Sequence, residues 1–454
     1  MDRSARIAFL SEHASPVALR GGEDAGGQNV YVDEVSRNLA RLGYRVDVFT
    51  RRDSADAPEI VEWAPGVRVI NLTAGPAEFR LKDTLWQFMP AFRDAFLDFV
   101  EREKVGYDLI HGNFWMSGWV ASELRRKLGI PVVQIFHAMG KTKQRYQGSS
   151  DTSPSERIEV EYEIVRKVDR LIAQCPSEQS ELIDDYGADP RKVVVIPSAV
   201  NTRVFRPVAR EEARRHIVLE TQRGIGLKPD DFVVAYVGRM IPRKDVRNVV
   251  RAIAILSGMV QKSRKRIVLL LVGGETKEPN PQATPEIGVL QQLTAELGIS
   301  DLVRFIGMRQ QDSLRYYYSA GDVVVTTPWY EPFGLTPLEG QACGRPVIGS
   351  AVGGIAYTVV DGVTGFLVPP RDPEALAARL YTLMMEPDLS ERMGRAARKR
   401  VEQEFTWPRV AERTASLYEA QLAEWSSVSL RASEREADKS AVGAINRSRR
   451  SERP

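Results

Sequence analysis

Two glutamates, Glu331 and Glu339, flank the segment PFGLTPL within the stretch from Pro328 to Gly354. Pro332 and Gly334 break regular structure there, which places Glu331 on a loop. Leu338 to Ala342 has the composition of a helix opening after Pro337, and that puts Glu339 in its first turn. Free backbone N–H groups and the positive end of the helix dipole gather at such a start, so a phosphate or a sugar diphosphate could dock there. Upstream, the apolar run VVAYV reaches Gly238 and is followed by Arg239, Met240, Ile241, Pro242, Arg243 and Lys244. Cations at the carboxyl end of a strand are costly to desolvate unless an anion meets them. Arg239 offers a planar fork for phosphate oxygens and Lys244 a point charge. The alternative is a pair of surface cations on a strand-to-helix loop.

The amino-terminal half carries a complementary set. Arg6 to Leu10 reads as a short buried strand and runs into a polar loop holding Gly21, Gly22, Gly26 and Gly27. A helix follows, with Tyr31, Val35, Leu39 and Leu42 on one face, and Gly43 ends it. Strand, glycine loop and helix in that order can cradle a phosphate on backbone N–H groups at Gly27, although such loops also serve as plain connections. The loop is not the G-x-G-x-x-G dinucleotide fingerprint. His13 and His137, two of the four histidines, each follow an apolar strand run, as catalysts or as satisfied polar residues. His137 opens HAMGKTKQRYQG, where Lys141, Lys143 and Arg145 could receive an acceptor phosphate or coat the surface. There is no D-x-D triplet, no H-E-x-x-H and no Cys/His ligand set, so arginine and lysine rather than a metal would neutralise a diphosphate.

Two doubly wound sheets are needed to position these groups. VDVFT, VRVIN, DLIHG, PVVQIFH, RLIAQ and KVVVIP alternate with helical stretches, and after a helical connector a second series runs FVVAYVG, RIVLLLVGG, VRFIG, DVVVTT, PVIGS and GFLVP. The expected division is residues 1–207 as a first Rossmann-like domain, 208–395 as a second, 396–425 as helices packing back on the first domain, and 426–454 as a disordered tail. A ligand would bind in the cleft between the carboxyl ends of the two sets of strands. The chain has 454 residues, 43% hydrophobic and 27% charged, with a net charge of +3, which suits a soluble globular protein and makes no electrostatic case for nucleic acid. The two cysteines, the absence of a leader-like apolar core and the lack of a membrane-length apolar run point to the cytoplasm.

In order along the chain, DAGGQNVYV, FHAMGKTKQR, GRMIPRK and EPFGLTPLE resemble the motifs of the retaining, nucleotide-sugar-dependent glycosyltransferases of the GT-B type, family 4 (group 1), over roughly residues 5 to 424. Within that family the resemblance is to the sucrose-phosphate-synthase-like enzymes and the inositol-phosphate glycosyltransferases of mycothiol synthesis. It implies two facing Rossmann-like domains and a donor held by Gly26, Gly27, Asn29, Gly238, Arg239, Lys244, Glu331, Phe333, Gly334, Leu335 and Glu339. Glu339 would take the ribose hydroxyls, Glu331 the donor-sugar hydroxyls, Arg239 and Lys244 the diphosphate, the Gly27 backbone the distal phosphate, and His137 the sugar near its 6-hydroxyl. The catalytic set implied is His137, Arg239, Lys244 and Glu331, with no metal, no other cofactor and no protein nucleophile.

On the acceptor side the resemblance matches Lys82 and Arg157 to cations that bind inositol phosphate, and His13, Lys141 and Lys143 join them as acceptor candidates. Phe114 stands where those enzymes have a tyrosine, Ala138 where they have a threonine, and Asp245 where a glycine commonly follows the lysine. The expectation is a hexosyltransferase moving sugar from a UDP-sugar, UDP-glucose first, to a sugar phosphate, polyol phosphate or related small acceptor. A nucleotide-sugar epimerase of the same fold and a non-catalytic sugar-nucleotide-binding protein are the alternatives.

Overall fold

A computed structural model describes residues 5–17, 26–148, 151–222, 224–260 and 265–427. Its first sheet contains β1 (Arg6–Leu10), β2 (Arg45–Arg51), β3 (Ile60–Ala64), β4 (Val67–Leu72), β5 (Leu109–Asn113), β6 (Val132–Ile135), β7 (Arg170–Ala173) and β8 (Val193–Val195). Their spatial order is β3-β4-β2-β1-β5-β6-β7-β8. The second sheet contains β9 (Phe232–Val237), β10 (Ile267–Val272), β11 (Val303–Gly307), β12 (Val323–Thr326), β13 (Val347–Ser350) and β14 (Gly365–Val368), in the order β11-β10-β9-β12-β13-β14. Both sheets are parallel apart from the β3–β4 pair.

The strands are runs of Val, Ile and Leu because helices cover both faces of each sheet. Ile7 and Phe9 pack into one apolar layer of the first domain, and Ala8 and Leu10 into the opposite one. Val234 and Tyr236 likewise part from Val233 and Ala235 in the second. The antiparallel edge strand β3 was not expected. Its residues are half-exposed, and Pro65–Gly66, with Gly66 at φ +78°, supplies the tight return into β4.

Two segments cross between the domains. The first follows β8 and enters the helix Arg210–Thr221, whose Ala213 and Ile217 are buried against the second sheet. The second leaves the helix Pro387–Glu404, which runs on through Arg395, and enters a helix spanning 407–427. That last helix lies on the first sheet, with Trp407, Val410 and Tyr418 in the layer of Ile7 and Phe9. The crossings touch: Val200 N–H donates to the Phe405 carbonyl at 3.1 Å, and Val200 pairs with Thr406 in a parallel bridge. The tail expected to be disordered lies, from 428 onward, outside the described residues.

Candidate active site

Strand order reverses between β9 and β12 in the second sheet, so the loops that follow these two strands diverge and leave a crevice at their carboxyl ends. Lys244 stands on one of those loops and Glu331 on the other. The Lys244 ammonium donates to Glu331 Oε2, while Arg243 Nη1 reaches the same oxygen at 3.5 Å and the Tyr330 carbonyl at 3.1 Å. Burial would raise the Glu331 carboxyl, but Lys244 and Arg243 outweigh it and hold it below the usual range. Burial lowers Lys244, with Arg243 adding to the shift and Glu331 opposing it. Arg239, on the same loop, is exposed and makes no ion pair among the described residues. Arg243 was not singled out from the sequence, where it is one of three cations in GRMIPRK.

Backbone contacts set the Glu331 loop. Gly354 N–H donates to the Glu331 carbonyl at 3.2 Å. A Cβ on Gly353 would stand 2.0 Å from that carbonyl oxygen and one on Gly354 would stand 2.3 Å from the Phe333 backbone, so the pair SAVGG ends on is required by close approach. The helix after the loop begins at Leu335, with Gly334 at φ +84° as its cap, earlier than the start expected after Pro337. Proline is tolerated in a first turn because its missing N–H would have no partner there. Glu339 consequently sits in the second turn. It is half-buried, accepts from the Tyr318 hydroxyl at 2.6 Å, and withdrawal of its carboxyl from water raises it to about 7 against the opposing pull of Tyr318 and Lys244. Phe333 is turned into the core beside Phe405, so its ring is structural and only its backbone is available to a donor.

The first sheet reverses between β1 and β5, and its crevice collects the residues after those strands and β6. Two bulky residues there have positive φ, Phe114 at +75° and His137 at +61°. Such conformations cost energy and persist only where the surroundings impose them, commonly at functional sites. Asn113 points its amide nitrogen at the carbonyls of Leu10 and His111, which leaves Oδ1 to accept from His137 Nε2 at 3.2 Å. The imidazole is neutral: burial, then His111 and His13, lower it to about 3. With Nε2 carrying the hydrogen, Nδ1 is left as an acceptor suited to a sugar hydroxyl. His13 Nδ1 bonds Glu12 Oε1 at 2.7 Å and its ring meets Phe114 edge-on at 5.0 Å. Glu12, fully buried and also bonded by Ser117, was missed because nothing in its sequence context marks it.

Gly26 caps the helix Gly27–Arg41, and Asn29 is spent on the loop itself, its Oδ1 accepting from Gly26 N–H at 3.1 Å and its Nδ2 donating to Ser15 at 3.0 Å. Asn29 therefore shapes the glycine loop, and both ends of its amide are already taken by that loop. The glycines at 21 and 22 lie outside the described residues.

The acceptor candidates divide. Lys143 Nζ donates to Ser153 Oγ at 2.9 Å and pairs with Asp151 at 2.9 Å. Arg157 Nη1 donates to the same Ser153 oxygen at 3.1 Å, and Lys82 opens the short turn next to Asp83, which is 3.7 Å from Lys143. Arg157 is only 2% exposed, bonded also to Glu161 and the Ala138 carbonyl and stacked over Phe114. Lys141 does not join them. Its ammonium bonds the Tyr162 hydroxyl and, at 2.7 Å, the Asp185 carbonyl, because residues two apart on the helix Gly140–Gln147 face different ways. Arg145 pairs with Asp185 on that side.

The two crevices face each other. A methyl group on Gly27 would lie 3.7 Å from Leu335, the first residue of the Glu339 helix, and Cys175 Sγ bonds the Pro332 carbonyl at 3.5 Å. Tyr146 and Tyr330 stack across the gap with centroids 5.3 Å apart. A cavity of about 40 Å³ lies between Glu34, Asn201, Leu335 and Glu339, whereas a roomier one of about 640 Å³ opens by Phe232, Asp322 and Arg345 at the amino ends of the second sheet's strands. Among the described residues no group of His, Cys, Asp and Glu is placed to hold a metal, and no helix is long and apolar enough to cross a membrane.

Two facing domains built on largely parallel sheets, with crevices at their switch points, make up the GT-B fold. The chain belongs to the group 1 glycosyltransferases: that family's model matches residues 219–400, and a glycosyl transferase 4-like domain matches residues 26–199. It is 38% identical to a D-inositol 3-phosphate glycosyltransferase of Streptomyces bingchenggensis over 92% of this chain and 89% of that one. A second D-inositol 3-phosphate glycosyltransferase, from Kribbella flavida, is also 38% identical, over 91% of this chain and 95% of its own. Among solved structures, sucrose-phosphate synthase from Thermosynechococcus elongatus superposes with a TM-score of 0.79 at 34% identity, covering 92% of this chain and all of that one. Anabaena HepE in complex with UDP and glucose shares the fold at 20% identity, with a TM-score of 0.68 over 92% of this chain and all of that one. The protein is therefore an enzyme of glycosyl transfer.

Proposed function

We propose that the enzyme transfers a hexosyl group from a UDP-sugar, UDP-glucose first among them, to a hydroxyl of a sugar phosphate or polyol phosphate, with retention of anomeric configuration. The observation that carries this reading is the second domain's crevice, where Lys244 and Arg243 meet Glu331 while the exposed Arg239 stands on the same loop, close enough for its charge to act on Lys244. Cations so placed meet a diphosphate, and a carboxylate among them reads hydroxyl groups. Glu331 takes the donor-sugar hydroxyls, Glu339 the ribose, the Gly27 backbone the distal phosphate, and His137 Nδ1 a hydroxyl on the far side of the sugar.

In the reaction the acceptor hydroxyl attacks the sugar's anomeric carbon on the face from which the diphosphate leaves. The bond from that carbon to the phosphate oxygen breaks, the new glycosidic bond forms, and a phosphate oxygen takes the acceptor's proton. Arg239 and Lys244 stabilise the charge growing on the diphosphate, so the work is positioning and electrostatics. Support for a phosphorylated acceptor comes from the first domain, where Lys143 and Arg157 converge on Ser153 Oγ next to the turn bearing Lys82.

The test is a matrix of UDP-, GDP- and ADP-sugars against phosphorylated and free acceptors, read as nucleoside diphosphate release, with the product anomer assigned by NMR. UDP release that depends on a phosphorylated acceptor and yields a retained anomer supports the proposal. Turnover confined to GDP- or ADP-sugars, an inverted anomer or a preference for unphosphorylated acceptors refutes the corresponding part.

A further inference from the structure

Tyr146 and Tyr330 belong to different domains and lie face to face, with ring planes within 8° of parallel. Tyr330 is 8% exposed and immediately precedes Glu331. Its carbonyl accepts from Arg243, and the next carbonyl accepts from Gly354, so the ring sits on the backbone that holds the glutamate. Tyr146 is 45% exposed and rises from the last turn of the helix Gly140–Gln147. Three residues earlier on this helix, and so on a neighbouring part of its surface, Lys143 reaches Ser153 and Asp151 among the acceptor cations. One short helix therefore meets the acceptor side at its middle and the donor loop at its end.

We propose that Tyr146 is a positioning residue whose ring, seated on Tyr330, ties the acceptor-side helix to the loop of Glu331. The inference rests on the reading of Glu331 as the donor-sugar ligand and of Lys143 as a contact for the acceptor's phosphate. An anion at Lys143 steadies the helix, the stacked rings carry that order to Tyr330, and Glu331 is held against the donor. Because coupling between sites is reciprocal, a bound phosphorylated acceptor tightens UDP and bound UDP tightens the acceptor.

The test compares the full chain with its Tyr146→Ala and Tyr146→Phe variants. Calorimetry measures UDP affinity with and without the phosphorylated acceptor that supports turnover, and steady-state assays give kcat and KM. Expected is at least a fivefold tightening of UDP by acceptor in the parent, lost in Tyr146→Ala, whose affinity for UDP alone stays within twofold and whose kcat drops about tenfold. Tyr146→Phe, which keeps the ring, stays within twofold of the parent throughout. A Tyr146→Ala variant that keeps both kcat and the tightening overturns the inference, as does a Phe variant as impaired as Ala or a parent without tightening. Failure of the proposed reaction looks different: the parent then turns over no UDP-sugar with any phosphorylated acceptor. An active parent with an inactive Glu331→Gln variant leaves the reaction standing and isolates the role of Tyr146.

Discussion

The Lys244 ammonium and the Glu331 carboxylate join across the reversal point of the second sheet, one from the loop after β9 and the other from the loop after β12. Both side chains are largely buried, and neither would keep its charge there alone. Removing Lys244 leaves Glu331 only the longer contact with Arg243, so Lys244→Ala is expected to lower stability by up to about 3 kcal/mol as well as turnover. Denaturant unfolding gives the first effect and UDP release the second.

Glu331→Gln keeps the shape of the side chain and loses the charge. Expected is a fall in kcat of about a hundredfold or more with UDP affinity within threefold, since in the proposed reaction the lost contact belongs to the sugar and its transition state. Turnover equal to the parent's would exclude Glu331 from the reaction.

Glu339 gives a pH signature. Its folded value of about 7 stands above the ordinary carboxylate range, so folding takes up a proton. The associated stability is complete below the unfolded-state value and is lost as pH rises through about 7. With Glu339 binding the ribose as proposed, nucleotide binding runs the opposite way, because ribose hydroxyls donate to the charged form. UDP affinity should weaken about tenfold from pH 8 to pH 6, beyond any change seen in Glu339→Gln, and titration calorimetry of both proteins separates this proton from those of the ligand.

Asp245 adopts φ +50°, at the cap of the helix Val246–Met259. That left-handed backbone suits glycine better than aspartate. Asp245→Gly should relieve the backbone by up to about 1 kcal/mol and, by removing an acid beside Lys244, tighten UDP. Thermal unfolding and calorimetry check the two effects.

The acceptor pocket is testable by restoring hydroxyls. Phe114 packs between His13 and Arg157, and Ala138 offers Arg157 only its carbonyl. Phe114→Tyr with Ala138→Thr should lower KM for D-inositol 3-phosphate, by about 1 kcal/mol for each hydrogen bond regained. An unchanged KM would mean that this phosphate does not bind there.

The alternating strands were legible because a strand covered on both faces must be apolar throughout, as FVVAYV and IVLLLV are. The edge strand β3 was not, since IVEWA is half-wet and only the Pro65–Gly66 turn marks it. Glu331 and Lys244 stood out through the proline and glycine breaks around them. Which arginine of GRMIPRK would turn inward depends on the backbone of one short turn, which sends Arg243 to the Tyr330 carbonyl and leaves Arg239 outside. Lys141 and Lys143 look equivalent in KTK, yet helical phase points them apart. Glu12 and the Tyr146–Tyr330 stack arise from contacts between distant parts of the chain, which no local pattern encodes.

Val200 and the 405–406 segment lie side by side where the chain passes between domains, hydrogen-bonded to each other. A single tether would let one domain swivel freely against the other. Two adjacent, bonded tethers act as a leaf hinge, which bends about one line and resists torsion. Any motion of one domain against the other has to bend both tethers together. Cutting the chain before the 407–427 helix would leave a swivel in place of a hinge, with both crevices intact and their alignment lost.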